Sequence, residues 1–335
     1  MRSALIIAAV VAQLLVLVIM AGQREWILQK GERVYIRTAP VDPRDPMRGD
    51  YVRLSYALNS QSLSAFKGGS TEKLQRGSRV YAVLRKHYDD LYELDYLSQQ
   101  RPTKMPFITG RVRYVYDDVL QGYVDIDYGI EQLFVQQGKG LDIEKRRGQR
   151  DSLQVPMEVE LAIGDAGQAQ ITNYRWSPLG IQLRRLDRDN TGAATNDGPR
   201  SPVLEFSLQN VSDEVLSIVD GDSHCALQLQ MLSGRGGFAK PRYQLCGPTE
   251  LDKEQTITLA PGQSHTVVVD LNQPRWYMQS SRDGDRWGSI AELAATQRFR
   301  LLYKPHSVSE LKTGLQNVWP GSIVSSAFNA RGQID

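Results

Sequence analysis

The chain has 335 residues, a net charge of +2 and a mean hydropathy of −0.39. So even a charge balance excludes a broad cationic surface for nucleic acid, and an apolar share of 41% is that of an ordinary globular protein. Two cysteines, Cys225 and Cys246, exclude a disulfide-dense scaffold and permit one bridge in an oxidising compartment.

Residues 3–22 carry no charge and one strongly polar side chain, Gln13. A helix of about 20 apolar residues crosses a hydrocarbon core of roughly 30 Å. Arg2 and the amino terminus lie on one side of the run, Arg24, Glu25 and Lys30 on the other. The small-residue cleavage points near Ala21 and Gly22 have a large residue three positions upstream, and no cysteine follows. Residues 1–23 are therefore read as a retained signal anchor rather than a cleaved leader. The short N-terminus is placed in the cytoplasm, with the rest of the chain on the far side of the membrane.

Residues 24–183 alternate short period-two runs with turn signals, which predicts a β-rich domain. Expected strands are Glu32 to Thr38, Tyr51 to Tyr56, Arg79 to Leu84, Tyr92 to Leu97, Thr109 to Tyr116, Gly122 to Tyr128 and Met157 to Ile163. Gly164-Asp165-Ala166-Gly167 reads as a hairpin turn into Ala169 to Thr172. Gly129 to Val135 and Gly140 to Arg150 are expected as short helices.

A stiff loop, Pro40 to Pro46, leads into Gly49-Asp50-Tyr51-Val52-Arg53-Leu54-Ser55-Tyr56. Gly49 frees the backbone for a positive φ, and Asp50 suits a side-chain-to-backbone bond in the same turn. In a strand, Val52, Leu54 and Tyr56 share one face, and Tyr51, Arg53 and Ser55 the other. The plain reading is a turn entering a half-buried strand. The functional reading is a patch of Arg44, Asp45, Arg48, Gly49, Asp50, Tyr51 and Arg53 that binds a partner or ligand.

This octet resembles the signature of the GDYXXLXY family of bacterial membrane-anchored proteins, and Gly49, Asp50, Tyr51, Leu54 and Tyr56 all match. The resemblance runs to about residue 180, through Gly77 to Leu84, Gly110, Gly129-Ile130-Glu131 and Phe134-Val135. It implies a single-pass envelope protein and brings no catalytic residues with it. The anchor followed by Pro-rich residues and Gly-Asp-x-Val is also similar to the nucleophile strand of type I signal peptidases. However, no serine lies between Gly31 and Tyr51, so acyl transfer has no nucleophile there.

Residues 184–202 have the composition of a linker, and 203–335 carry six or seven short strand patterns. The expected strands are Leu204 to Val211, Leu216 to Val219, Ala226 to Leu232, Tyr243 to Leu245, Thr256 to Leu259, Thr266 to Leu271 and Phe299 to Tyr303, with a short helix over 286–296. Their spacing points to an immunoglobulin-like β-sandwich. The fold class is thus mainly β: a transmembrane helix, a β-rich domain with a helical insert, then a sandwich.

Chemistry is sparse. His87, His224, His265 and His306 follow no ligand spacing, and Asp220-Gly221-Asp222 and Asp283-Gly284-Asp285 lack a calcium loop. Asp125 and Asp127 share a strand face, as a general acid–base pair would, but a solvated face is the plainer reading. Lys139, Lys145, Arg146, Arg147 and Arg150 form the main basic cluster, a solvated helix face or a contact for anionic headgroups. Trp276, Trp287 and Trp319 suit core packing or, alternatively, a binding rim. No catalytic residue, metal or cofactor is expected. The sequence points to a non-enzymatic interaction protein with an envelope or integral-membrane partner. The alternatives are an envelope hydrolase using carboxylates of the first domain, or a ligand- or glycan-binding module.

Overall fold

In a computed structural model of the chain the apolar run folds as α1 (Arg2–Lys30), a helix with no part of its apolar span buried against protein. The structure describes residues 2–39, 51–68, 74–88, 90–116, 123–136, 138–148, 152–186, 200–232, 246, 255–279, 287–293, 297–305, 318–319 and 321–334. The helix outlasts the apolar run. Its last two turns hold Trp26, 65% exposed, and a Gln29-to-Glu25 side-chain bond of 2.6 Å. It stops at Gly31, whose N–H donates to Ile27 O at 2.8 Å. A Cβ on Gly31 would lie 2.5 Å from that same oxygen. The next residue opens a strand, so anchor and sheet are joined without a linker, and the expected boundary at residue 23 falls inside the helix.

The first body is one curled sheet with a small ribbon. Its strands are β1 (Glu32–Ala39), β2 (Tyr51–Arg53), β3 (Ser55–Tyr56), β4 (Ser60–Ser62), β5 (Arg79–Tyr88), β6 (Leu91–Ser98), β7 (Phe107–Tyr116), β8 (Tyr123–Asp127), β9 (Gln132–Phe134), β10 (Met157–Ile163) and β11 (Ala169–Trp176). Helix α2 (Lys139–Arg147) is the expected insert, with its end at Gly148. The sheet order is β11-β10-β1-β6-β5-β7-β8-β4, with β3 added on β1. Period-two patterning makes the core: Val34 and Ile36, Val80, Ala82 and Leu84, and Val159 and Leu161 all point inward. The hairpin turn forms as expected, with Gly167 N–H on Gly164 O at 2.8 Å and Gly167 at φ +79.

Two local expectations differ. Tyr51 to Tyr56 is not one strand. β2 pairs with β9, whereas β3 pairs with β1. The switch comes at Leu54, whose N–H donates to Glu131 O at 2.9 Å. Gly129 to Val135 is not a helix either. Gly129 takes φ +76, which ends β8 in a turn, and the residues beyond it pair with β2 as β9.

The second body is built from β12 (Leu179–Arg185), β13 (Val203–Asn210), β14 (Leu216–Asp220), β15 (Leu227–Leu232), β16 (Gln255–Leu259), β17 (Ser264–Asp270), β18 (Met278–Gln279), β19 (Trp287–Gly288), β20 (Arg298–Tyr303), β21 (Ile323–Val324) and β22 (Phe328–Asn329). They form antiparallel groups: β12-β13-β17, β14-β16, β18-β19, and β15-β20-β21 with β22 on β20. Leu204, Phe206 and Leu208 of β13 meet Phe299, Leu301 and Tyr303 of β20 in one core. Tyr303 Oη both donates to Val219 O (2.9 Å) and accepts from Val219 N–H (3.0 Å), tying β20 to β14. Cys225 and Cys246 are joined as a disulfide closing a 21-residue separation.

β12 lies across the expected boundary at 183: Leu179, Ile181 and Leu183 belong to the second core, because their alternation pairs with β13 along its whole length. Over 286–296 the described residues are β19 and a 3₁₀ turn at Ile290–Glu292 rather than a helix. Most of the expected linker (187–199) and the expected strand Tyr243 to Leu245 lie outside the described residues.

The bodies meet around a buried acid. Glu158 of β10, 3% exposed, accepts from Arg37 Nη2 at 2.5 Å and from Arg175 Nε at 2.7 Å. Arg175 also grips Asp90 (2.7 Å) and covers the Tyr35 ring at 4.0 Å. Arg37 reaches across to the second body, donating to Ser322 O and lying 4.7 Å over the Trp319 ring. Ser322 Oγ donates to Glu93 at 2.7 Å, and Lys304 pairs with Glu93 at 3.7 Å. Removing the acid alone strips Arg37 of its counter-charge and leaves Arg175 with Asp90 only. Glu158→Ala is expected to lower unfolding free energy by about 3 kcal/mol, read as a lower denaturant midpoint for the full chain in detergent.

Candidate functional site

The second half of the signature is fastened from several directions. Leu54 and Tyr56 are buried, as their shared face requires, and Val52 is buried with them. Tyr56 Oη donates to Ile130 O at 2.9 Å, and Tyr56 N–H donates to Asn59 Oδ1 at 2.7 Å. Asn59 Nδ2 in turn donates to Glu131 Oε1 at 2.9 Å and to Ile126 O at 2.9 Å. Glu131 Oε1 also accepts the Tyr128 N–H at 2.8 Å. Arg147, 8% exposed at the end of α2, donates to Arg53 O at 3.0 Å. A short 3₁₀ turn, Ala57–Asn59, places Asn59 where it can do this. The signature is therefore a buckle linking β1, β8, β9 and α2.

Electrostatics follow from that burial. Desolvation pushes the Tyr56 hydroxyl well above the ordinary phenol range, with nearby Glu131 adding to the shift. Burial also raises Glu131, with the neighbouring Asp127 adding to the shift and the Tyr128 N–H and Asn59 opposing it. Asp127 goes the other way: burial raises it, but bonds from Glu131, the Gly129 N–H and Arg113 bring it below its usual value. Asp125 is raised by burial, against the pull of Arg113. The three acids thus converge. Their oxygens are held by Arg113 (3.5 Å to Asp125, 3.6 Å to Asp127), by backbone N–H groups and by Asn59.

Of the expected patch, Arg44, Asp45, Arg48, Gly49 and Asp50 lie outside the described residues. Tyr51 pairs through its backbone with Phe134, and Arg53 is exposed. Near them stand two exposed apolar side chains, Phe134 (76%) on β9 and Leu141 (64%) on α2. Gly140 packs between Val52 and Val135, which seats the first turn of α2 on β2. Arg53, Phe134 and Leu141 therefore stand on three elements clustered at the signature.

The basic cluster is not a uniform solvated face. Arg147 is buried under Arg53, and Arg146 lies 5.1 Å over the Trp176 ring. Arg150 is outside the described residues. Arg147 sits beside Thr38 and Ala39, at the end of β1 remote from α1, about 25 Å along the strand. Trp276 and Trp319 are buried, with Trp319 stacked on Tyr303 at 6.2 Å, so they form no rim.

One constellation was not legible from spacing. Asp220, 4% exposed, is hydrogen-bonded to His224 Nδ1 at 2.9 Å and to His265 Nε2 at 2.7 Å. His224 holds the one positive φ (45°) of a described non-glycine residue. The sequence signal is an Asp-x-x-x-His spacing in a turn, and the second histidine comes from β17, 45 residues on. No group of three His, Cys, Asp or Glu residues among the described ones is arranged to hold a metal ion.

An apolar helix long enough to cross a membrane, fused to a mainly β body and buckled by this octet, defines the class. Residues 13–173, most of that helix and the first body, match the model of the GDYXXLXY protein family. No curated protein and no solved structure matches the chain.

Two measurements test these assignments. Tyr56→Phe leaves the Ile130 carbonyl without its donor and is expected to cost about 1–2 kcal/mol by chemical denaturation, with the fold retained. At Asp220, burial pushes the carboxyl up, but bonds from His224 and then His265 outweigh it and leave it below the usual range. A carboxyl lowered in the folded state stabilises above its unfolded value of about 3.9 and loses that stabilisation as pH falls below it. Unfolding measured from pH 7 to pH 3 should therefore show a smaller acid-side loss in Asp220→Asn, on a lower stability at pH 7.

Proposed function

We propose that this is a single-pass protein of a bacterial inner membrane whose β bodies stand in the periplasm and act as a non-enzymatic accessory for an envelope or integral-membrane partner. The observation that carries the reading is the exposed group at the signature, Phe134 and Leu141 with Arg53 beside them, on elements that the buckle holds in place. Large exposed apolar side chains on elements next to a cation-bearing strand suit a protein contact. The Cys225–Cys246 bridge supports an oxidising compartment for the second body. Antiparallel sheets sharing one core support an immunoglobulin-like sandwich there, an architecture suited to binding.

Asp125, Asp127 and Glu131 are the carboxylates that a hydrolase reading would use. Because Arg113, Asn59 and backbone donors already hold their oxygens, they favour a structural role. Crosslinking of the full chain in native membranes, followed by purification, tests the interaction reading. A stoichiometric membrane-protein partner is expected, with at least about a fivefold loss of capture in Phe134→Ser/Leu141→Ser, on the scale of about 1 kcal/mol at an interface residue. Equal capture by wild type and variant would remove this surface from the reading.

A further inference from the structure

At the opposite end of the first body, where α1 enters the sheet, a cleft of about 810 Å³ opens between Lys30, Glu32, the 101–106 loop and the β10–β11 turn. This volume lies within the range of ligand sites, roughly 300–1,000 Å³. Its height above a bilayer is fixed by the joint. Ile27 packs on Gly164, Arg33 donates to Leu28 O, and the Gly31 N–H donates to Ile27 O. With residues 3–22 in the hydrocarbon, Trp26 lies about 6 Å beyond Gly22, at the level of the headgroups. Lys30 is four residues further on, about 6 Å higher, so the cleft borders the headgroup layer.

The lining has a mixed and ordered charge. Arg101 donates to Asp165 O at 2.6 Å and lies 6.0 Å over the Phe107 ring, which fixes its guanidinium before any ligand arrives. Lys30 and Lys104 add two cations, and Glu32 and the Asp165 carboxylate two anions. None of these four has an ion-pair partner among the described residues. Met105 gives an exposed apolar edge. Three cations with two carboxylates suit a ligand that is itself a phosphate next to an ammonium.

We propose that this cleft binds the headgroup of a phosphoethanolamine-type phospholipid, its phosphate against Arg101, Lys104 and Lys30 and its ammonium against Glu32 and Asp165. The proposal rests on the membrane-anchoring reading. A charge-assisted contact to phosphate is directional and strong, so losing two of them shows clearly in affinity.

The full chain in detergent micelles, titrated with phosphatidylethanolamine and followed by native mass spectrometry, reads the site. One retained lipid is expected, held more strongly than phosphatidylcholine, whose trimethylated amine has no N–H to donate. Arg101→Gln/Lys104→Gln should weaken retention by about tenfold or more, and Glu32→Gln should abolish the preference for the ethanolamine lipid. Arg184→Gln, which removes an exposed charge on β12 of the second body, should change nothing. Wild-type retention in the double variant, equal retention of phosphatidylcholine by the wild type, or release of the lipid by inorganic phosphate would each overturn the proposal. Flotation of the same proteins with vesicles separates the two readings. Floating protein without lipid selectivity refutes the cleft alone; protein that does not float refutes the anchor and the cleft with it.

Discussion

A carboxylate taken out of water has to be neutralised where it sits, and Glu158 meets that requirement with two guanidinium groups. The requirement fixes β1, β10 and β11 laterally, since Arg37, Glu158 and Arg175 come one from each. It also fixes the second body, because Arg37 has donors left over for Ser322 and a face for Trp319. β1 begins one residue after α1 ends. A single strand therefore carries the apolar helix at one end and the seam near the other, and the position of the second body relative to that helix depends on it.

The octet that names the family earns its place by geometry before any question of binding. Leu54 and Tyr56 fill the core, and the chain changes partners between them, from β9 to β1. That change exposes backbone groups inside the body, and Glu131, Asn59 and Arg147 satisfy them. A strand switch of this kind needs partners outside its own strand: Asn59 lies three residues on, whereas Glu131 and Arg147 come from far along the chain. Phe134 and Leu141 are on the elements brought in to satisfy it, so their exposure is a consequence of the buckle.

Much of this was legible in the sequence where the signal is local. Period-two alternation located β5, β7, β10, β13 and β20, and it put Val52, Leu54 and Tyr56 on one face although they do not form one strand. The apolar run and the helix after Gly138 were legible for the same reason. What was hidden is non-local. Gly129 and Ile130 suggested a helix because nothing nearby shows that β2 is waiting to pair. The boundary at 183 cuts β12, because nothing local to Leu179, Ile181 and Leu183 says which core they serve. Asp220 and His265, and Arg37 and Trp319, are brought together only by strand order. The headgroup reading of the basic cluster came from counting charges, whereas Arg147 is used inside the fold.

The bond from Arg37 to the Ser322 carbonyl spans 285 residues. At a synthesis rate of about 5–20 residues per second, the C-terminal segment emerges roughly 15–60 s after the strand it must cover. β1, β10 and β11 can close on Glu158 well before then, leaving one face of Arg37 and the site of Trp319 open to water. For that interval the nascent chain is half a protein with a ready-made socket. The same C-terminal segment from a neighbouring copy would fit that socket as well as its own, so closure in cis competes with exchange in trans, and synthesis rate and local crowding decide between them.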